Sequence, residues 1–297
     1  MEQKGFSSLH PLVGFFYFAL VLVFTMFFDH PVSLGLSLGA AVWCAGHLNG
    51  WRSLASQGRY LLPTALFAAL LNPAFNHRGD TVLARFPTGS ALTLESVLYG
   101  LAAAAMLCAV LLWFSCYHTV MTSDKFLYLF GRIIPALSLV LSMALRFVPR
   151  FKAQLRAAVE AQRSLGRDLS RGGLLRRLRL AGAILSILVT WSLENAIDTA
   201  DSMKSRGYGL PGRTAFSLYR LDGRDLAVLG WLALSGGAVL LCWALGGLSF
   251  QYYPTLQGDG ATPLAVGGQL AYLALCLTPV ILNRWEAWKW TRSQYAL

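Results

Sequence analysis

An arginine at the predicted end of a helix is the residue in this sequence whose position most suggests a chemical role. Arg206 follows Ser205 and directly precedes Gly207. A glycine just past the last turn commonly ends a helix, and a cation in that turn suits the negative end of the helix dipole. Arginine keeps its charge when buried and makes forked hydrogen bonds, so this site could anchor a partner. On the pattern alone, a capped and solvated helix end is the simpler interpretation.

The sequence lacks the patterns of a P-loop ATPase and of a zinc hydrolase. A P-loop requires a glycine before its lysine, and no lysine here follows one; HExxH is missing as well. The strings GxSxG at 35–39 and GxGxxG at 207–212 do occur, but neither follows a predicted strand, which both motifs require. Asp124, Glu160 and Asp168 form no paired carboxylate site and are interpreted as helix caps and surface ion pairs. The 5 cysteines show no paired spacing, which indicates small buried residues rather than disulfides or zinc ligands. We therefore expect a non-enzyme without a cofactor or metal.

The composition is that of a polytopic membrane protein. Of the 297 residues, 56% are hydrophobic and only 13% are charged, whereas about 25% of a soluble domain is charged. These values exclude a disordered chain and make an ordinary soluble enzyme a poor interpretation.

Apolar segments predict an all-α protein with about six membrane spans. The segments are 12–28, 32–48, 60–71, 97–117, 226–245 and 264–282. The third segment is short and contains Pro63, so it could be a short span, a tilted span or a re-entrant segment. The 15-residue segment 133–147 is too short and is predicted not to span. Between residues 76 and 94, two short apolar runs around a turn predict a small external β-hairpin.

Positive charge is concentrated in one long insert. Between Arg146 and Arg224 there are 15 Lys and Arg against six Asp and Glu, while the loop 246–263 has no Lys or Arg. Loops rich in these cations face the cytoplasm, so the insert and both termini are predicted to be cytoplasmic. The insert lacks a nucleic-acid motif, and lipid headgroups attract the same charges, so we expect no nucleic-acid partner. The predicted parts are N-terminal membrane helices with the hairpin at 1–132, a helical cytoplasmic part at 133–225, and two membrane helices with a basic tail at 226–297.

The insert is predicted to contain two long helices. Charged and apolar residues alternate at helical spacing from 149 to 170, and Gly172 and Gly173 then break the pattern. The second pattern runs from 174 to 206, with an interruption near Gly182. Glu194, Asp198 and Asp201 line one face of it near its end.

Five segments, taken in order, resemble the transmembrane T component (EcfT/CbiQ-like) of energy-coupling factor (ECF) transporters, which are ABC-type importers. They are NPAFNHRG at 72–79, LTLES followed by YG at 92–100, MTSDKF followed by LFG and P at 121–135, FVP at 147–149, and ADSMKSRGY at 200–208. Each segment alone is weak, but their order and spacing are specific to that family. Together they cover about half of the chain.

The resemblance implies a multi-pass coupling protein in a bacterial-type inner cell membrane. Such a protein joins two cytoplasmic ABC ATPases to an integral-membrane substrate-binding S component, and the complex takes up vitamins, cobalt or similar micronutrients. Long cytoplasmic coupling helices carry two short arginine-centred motifs, each of which docks on one ATPase. The second motif corresponds to Ser205, Arg206 and Gly207.

The first coupling motif departs from the family pattern. It is expected within the run Arg163, Ser164, Leu165, Gly166 and Arg167. The family often has arginine at the position of Leu165, so the resemblance leaves open whether Arg163 or Arg167 provides the contact.

A substrate-translocating permease subunit of another ABC importer is the alternative function. A permease lines the substrate path itself, so ionisable residues should mark that path inside the membrane. The central parts of the predicted spans contain almost none, which favours a scaffold. A membrane-embedded enzyme is disfavoured by the missing catalytic groups.

Overall fold

The computed structural model describes residues 5–76, 79–85, 91–131, 134–167, 173–211, 219–258 and 262–294. Over these residues the chain is almost entirely helical, with two small β-hairpins. The helices are α1 (Pro11–Phe27), α2 (Pro31–Asn49), α3 (Trp51–Phe75), α4 (Leu94–Val120), α5 (Ser123–Gly131), α6 (Pro135–Ser164), α7 (Leu174–Ser205), α8 (Gly223–Ala244) and α9 (Pro263–Gln294). The strands are β1 (Val82–Arg85), β2 (Ala91–Thr93), β3 (Phe250–Gln251) and β4 (Gln257–Gly258). The all-α class expected from the sequence is confirmed.

The chain divides into two compact units. The first combines Met1–Lys125 with Tyr219–Leu297, and the second is Phe126–Leu218. Helices α1 to α4, α8 and α9 belong to the first unit, and α6 and α7 belong to the second.

Aromatic residues and a polar network fill the core of the first unit. Tyr17, Phe18 and Trp113 are fully buried and meet edge to face. The Ser37 hydroxyl accepts a 3.1 Å hydrogen bond from the Trp113 indole and lies 2.9 Å from the Thr25 hydroxyl. The Thr25 hydroxyl in turn lies 2.8 Å from that of Tyr272. These bonds connect α1, α2, α4 and α9, and each of the three hydroxyls in this network has a partner, as burial requires.

A β-hairpin lies between α3 and α4, within the region where the sequence predicts one. Strands β1 and β2 are antiparallel, with Val82 opposite Thr93. Thr81 donates its hydroxyl and its backbone N–H to the buried Glu95 carboxylate, which joins the start of β1 to the first turn of α4. Much of the turn that the sequence predicts lies outside the described residues. The second hairpin, between α8 and α9, was not predicted from the sequence.

Five described helices are long and apolar enough to cross a membrane, namely α2, α4, α7, α8 and α9. Helix α1 is equally apolar but is only 17 residues long. A multi-pass membrane protein is therefore confirmed, although the set of helices differs from the predicted one. Segment 60–71 lies within one continuous helix, α3, whose polar first half keeps its mean hydropathy low. Helix α7, which the sequence places in the cytoplasm, contains a long apolar stretch.

Helices α6 and α7 form an antiparallel pair in the second unit. Phe147 stacks on Trp191 with ring centroids 5.5 Å apart, and further along α6 the side chain of Ala158 packs among those of Leu180, Ile184 and Leu188 on α7. Residues later in α6 therefore pack against residues earlier in α7, as in an antiparallel pair. At 1.5 Å per residue, α7 is about 48 Å long.

Two details of the predicted insert are wrong. Helix α7 is continuous through Gly182, because a single glycine weakens a helix by about 1 kcal/mol and packing against α6 at Leu180 and Ile184 outweighs that cost. The helix predicted to start at 149 begins earlier, since α6 runs from Pro135 through Pro149 to Ser164.

The sidedness of α7 gives a first prediction. In a Cys-free variant, single cysteines at Ser170 and Ser205 would flank α7. If the whole insert is cytoplasmic, both cysteines should resist a membrane-impermeant thiol reagent in intact cells and react after lysis. If α7 crosses the membrane, one of the two should react in intact cells, and the predicted topology is then wrong.

The capping histidines give a second prediction. The Nδ1 atoms of His10 and His30 accept hydrogen bonds of 3.2 Å from Leu12 N and Val32 N at the starts of α1 and α2. Burial lowers the pKa of both imidazoles, and for His10 nearby Asp225 partly offsets this effect. Because the unfolded chain binds these protons more readily, the first unit should lose stability as the pH falls below about 6.5.

The double variant His10→Asn and His30→Asn isolates this effect. Asparagine also caps helices but does not titrate. The thermal unfolding temperature of the double variant in detergent should therefore depend less on pH between about 7.5 and 5 than that of the wild type. Burial raises the pKa of Asp29, which titrates in both proteins and cancels in the comparison. Parallel pH curves for the two proteins would contradict the prediction.

Candidate functional site

The arginine motif predicted as the second coupling motif forms the end of α7. Gly207 has a φ of 79°, in the left-handed region that suits glycine. Its N–H donates to Lys204 O at 3.0 Å, and the N–H of Tyr208 donates to Met203 O at 3.0 Å. This pair of bonds is a Schellman motif, with Arg206 as the C-cap residue. The glycine stop predicted from the sequence is confirmed.

The segment predicted as the first coupling motif gives α6 the same backbone ending. Gly166 has a φ of 77°. Its N–H donates to Arg163 O at 3.0 Å, and the N–H of Arg167 donates to Gln162 O at 3.0 Å. The C-cap residue here is Leu165. Leu165 and Arg206 therefore occupy equivalent positions in two copies of one motif.

Each motif also contains a serine with the same local hydrogen bond. The Ser164 hydroxyl donates to Ala161 O at 2.8 Å, and the Ser205 hydroxyl donates to Ser202 O at 2.9 Å. Each serine therefore bonds back to a carbonyl of its own last turn. We call residues 162–167 the first tip and residues 203–208 the second tip.

The tips lie at opposite ends of the antiparallel helix pair. The first tip ends α6 and precedes α7, whereas the second ends α7 near the N-terminal half of α6. The structure therefore keeps the two predicted coupling motifs apart. Because α7 alone is about 48 Å long, no small pocket on a single partner could enclose both tips.

A cavity of about 1200 Å³ adjoins the second tip. Arg206, Gly207 and Tyr208 form part of its wall, and the facing part of α6 contributes Arg146 and Arg150. Sequence analysis did not select these two arginines, although they flank the FVP segment on which the family resemblance partly rests. Their spacing of four residues on a predicted helix was the available signal, since it places them on one face.

The cavity beside the second tip is cationic. Three arginines line it against one carboxylate, that of Asp198. Arg146, Arg150 and Arg206 are all exposed. Of the predicted acidic face, only Asp198 lines this cavity, and Glu194 and Asp201 do not. A surface that brings acidic or carbonyl groups to this end of α7 would find guanidinium groups from two helices.

Buried charges in the first unit lie at helix ends. In the described segments these residues are Glu95 and Asp225, both in the first turn of a helix, and Lys125 in the short helix α5. The Lys125 ammonium donates to Ser7 O at 2.6 Å and to Val120 O at 2.9 Å, and burial lowers its pKa.

The described residues contain no group of three or more His, Cys, Asp or Glu side chains that could hold a metal ion.

Comparison with known proteins gives a family match over most of the chain. Residues 6–216 match the family described as CbiQ: Cobalt transport protein. The energy-coupling factor transporter transmembrane protein EcfT of Lactobacillus helveticus is 39% identical over 118 residues, which are 39% of this chain and 43% of that protein. EcfT of Bacillus selenitireducens is 37% identical over 112 residues, 37% of this chain and 42% of that protein.

A relative with another name matches a longer part of the chain. A putative ABC transporter ATP-binding protein of Bifidobacterium longum is 27% identical over 230 residues, which are 72% of this chain and 28% of that protein. The chain thus spans less than half the length of each of these three relatives. Because the family match covers more than half of the chain, and because the EcfT proteins are similar to part of it, the chain belongs to the CbiQ family and is an EcfT/CbiQ-like transmembrane T component of ECF transporters.

Proposed function

We propose that this chain transmits the motion of two cytoplasmic ABC ATPases to a substrate-binding S component in the same membrane. The observation that carries the proposal is the pair of tips, which share one backbone motif and lie at opposite ends of the α6–α7 pair. Two separated copies of a docking element suit two partner subunits. Residues 133–225, which contain both tips, act in this proposal as cytoplasmic coupling helices.

The electrostatics of the second tip support an arginine-mediated contact. The Arg206 side chain is exposed, and its guanidinium makes no hydrogen bond or ion pair with the described part of the chain, so it is available to a partner. Ser205 and Gly207 add little bulk beside it, which permits close approach of a partner backbone. The similar Bifidobacterium protein is named as an ATP-binding protein, which supports an association between this type of membrane chain and ABC ATPases.

The second unit exposes an apolar surface that suits a membrane partner. Large apolar side chains are exposed along both of its long helices, including Leu137, Val140, Leu185, Leu193 and Ile197. Contiguous surfaces of this kind mark protein or membrane contacts. In the proposal this surface meets the S component and lipid, and the S component selects the micronutrient, a vitamin or a metal ion such as cobalt. The chain lies in a bacterial-type cell membrane with both termini in the cytoplasm.

A scaffold explains the position of the charged residues better than a permease does. A permease lines its own substrate path, where ionisable residues are expected at membrane depth. Glu95, Lys125 and Asp225, the buried charges in the described segments, instead serve helix ends. In the proposal the chain is non-catalytic.

The absence of a P-loop lysine predicts that the isolated chain hydrolyses no ATP. The protein should be purified in detergent, freed from ATPase subunits and tested for phosphate release through a final sizing column. Hydrolysis that follows the concentration of the chain across the eluted peak would contradict a non-catalytic role.

Substitution of Arg206 tests the coupling role itself. Arg206→Ala should leave membrane insertion intact, because the exposed side chain supports no core contact. Loss of one partner of a desolvated charged contact costs about 2–5 kcal/mol, so recovery of ABC ATPase subunits with the tagged chain should fall by about 30-fold or more. Arg206→Lys should restore binding only partly, because an ammonium cannot reproduce the guanidinium fork.

Arg52→Ala is the matched control, because it removes an equally exposed arginine from a helix of the first unit. Substrate uptake and ATPase recovery should stay at the wild-type level in this variant. If Arg206→Ala behaves like Arg52→Ala at equal expression, Arg206 only ends a helix and the proposed coupling role is wrong.

A further inference from the structure

The two tips have the same backbone but different side chains at equivalent positions. At the C-cap position, the first tip has Leu165 and the second has Arg206. Two residues later, after the left-handed glycine, the first tip has Arg167 and the second has Tyr208. One apolar and one cationic side chain have therefore exchanged places across the glycine.

One cationic position is common to both tips, and a second cationic residue is found in the first tip at a position where the second tip has none. Arg163 and Lys204 occupy equivalent positions, two residues before the C-cap. Arg163 therefore corresponds to Lys204 and not to Arg206. The additional cation of the first tip is Arg167, which is exposed beyond Gly166.

The apolar side chains of the two tips, Tyr208 and Leu165, also differ in their surroundings. In the second tip, Met203 and Tyr208 occupy the two positions whose side chains commonly make an apolar contact at a Schellman end, and both line the cavity. In the first tip the equivalent pair, Arg167 and Gln162, is polar. Leu165 instead is 69% exposed, although leucine has no polar group to solvate.

We propose that the first tip docks through Arg167 and Leu165, with its cationic and apolar contacts in the reverse order to those of the second tip. This inference rests on the proposed coupling function and deepens it. The left-handed glycine turns the chain between the two positions, so a surface that places a carboxylate for Arg206 places it wrongly for Arg167. Each tip therefore selects its own complementary surface, and the two ATPase contacts are not interchangeable.

Site-specific photocrosslinking can measure the two contacts separately. A benzoylphenylalanine is introduced at Ala161 or at Ser202, the equivalent exposed residues four positions before each C-cap and just outside each tip. The tagged chain is irradiated in membranes of its native host, and the yield of crosslinked ABC ATPase is measured at each position. The yield at one tip then serves as an internal control for folding when the other tip is altered.

Single substitutions distinguish the two candidate arginines of the first tip. Arg167→Ala should lower the yield at position 161 by about tenfold or more, as expected when a charged docking contact is lost, and should leave the yield at position 202 within about twofold. The matched variant Arg163→Ala should lower the yield at position 161 by less than about threefold. Leu165→Ala should also lower this yield, whereas Leu165→Met should retain it.

A graft then tests whether the order of the two groups matters. The double variant Leu165→Arg and Arg167→Tyr gives the first tip the side-chain order of the second. Its yield at position 161 should fall by about tenfold, because the arginine now meets the apolar part of the partner surface. The inference is overturned if the graft crosslinks as well as the wild type, or if Arg163→Ala has at least the effect of Arg167→Ala. If the wild-type chain crosslinks no ATPase from either position, the proposed function itself fails.

Discussion

The proposed coupling site depends on a short apolar seam between α6 and α7. Ala158, Leu180, Ile184 and Leu188 are buried in this seam, and the stacked rings of Phe147 and Trp191 extend it toward the second tip. The seam fixes the antiparallel pairing, and the pairing separates the tips. The first unit is held differently, by an aromatic core and a hydroxyl network across four helices. The first unit therefore has an extensive core, whereas the α6–α7 pair is held together by a narrow apolar seam.

Much of the fold could be predicted because membrane helices leave a strong compositional signal. Long apolar segments gave α1, α2, α4 and α8 with nearly correct bounds, and gave the start of α9, which continues past the predicted end at 282 to Gln294. The remaining helices were harder, because packing decides their continuity. Segment 60–71 is short by itself, yet it continues into a polar half and forms the 25-residue α3. Glycine 182 breaks the pattern of α7 in the sequence but not in the structure, where neighbouring leucine and isoleucine side chains pack on α6.

The candidate site was predictable where local chemistry determines the structure. The left-handed glycine after Arg206 follows from a short-range rule, and the structure has it. The equivalence of Leu165 and Arg206 needed the hydrogen bonds of both helix ends, because the residues around the two glycines differ in type. The contributions of Arg146 and Arg150 required the tertiary pairing of α6 with α7, which no local pattern specifies.

The main-chain nature of the Schellman ends has an evolutionary consequence. Main-chain bonds and a glycine determine the shape of each tip, so the C-cap side chain contributes little to folding. Leucine and arginine codons can differ by a single nucleotide, and either residue leaves the same helix end in place. Selection at the C-cap position therefore acts mainly through the partner that touches it. Gene duplication of an ATPase could be followed by divergence at one tip, while the membrane chain keeps its fold throughout.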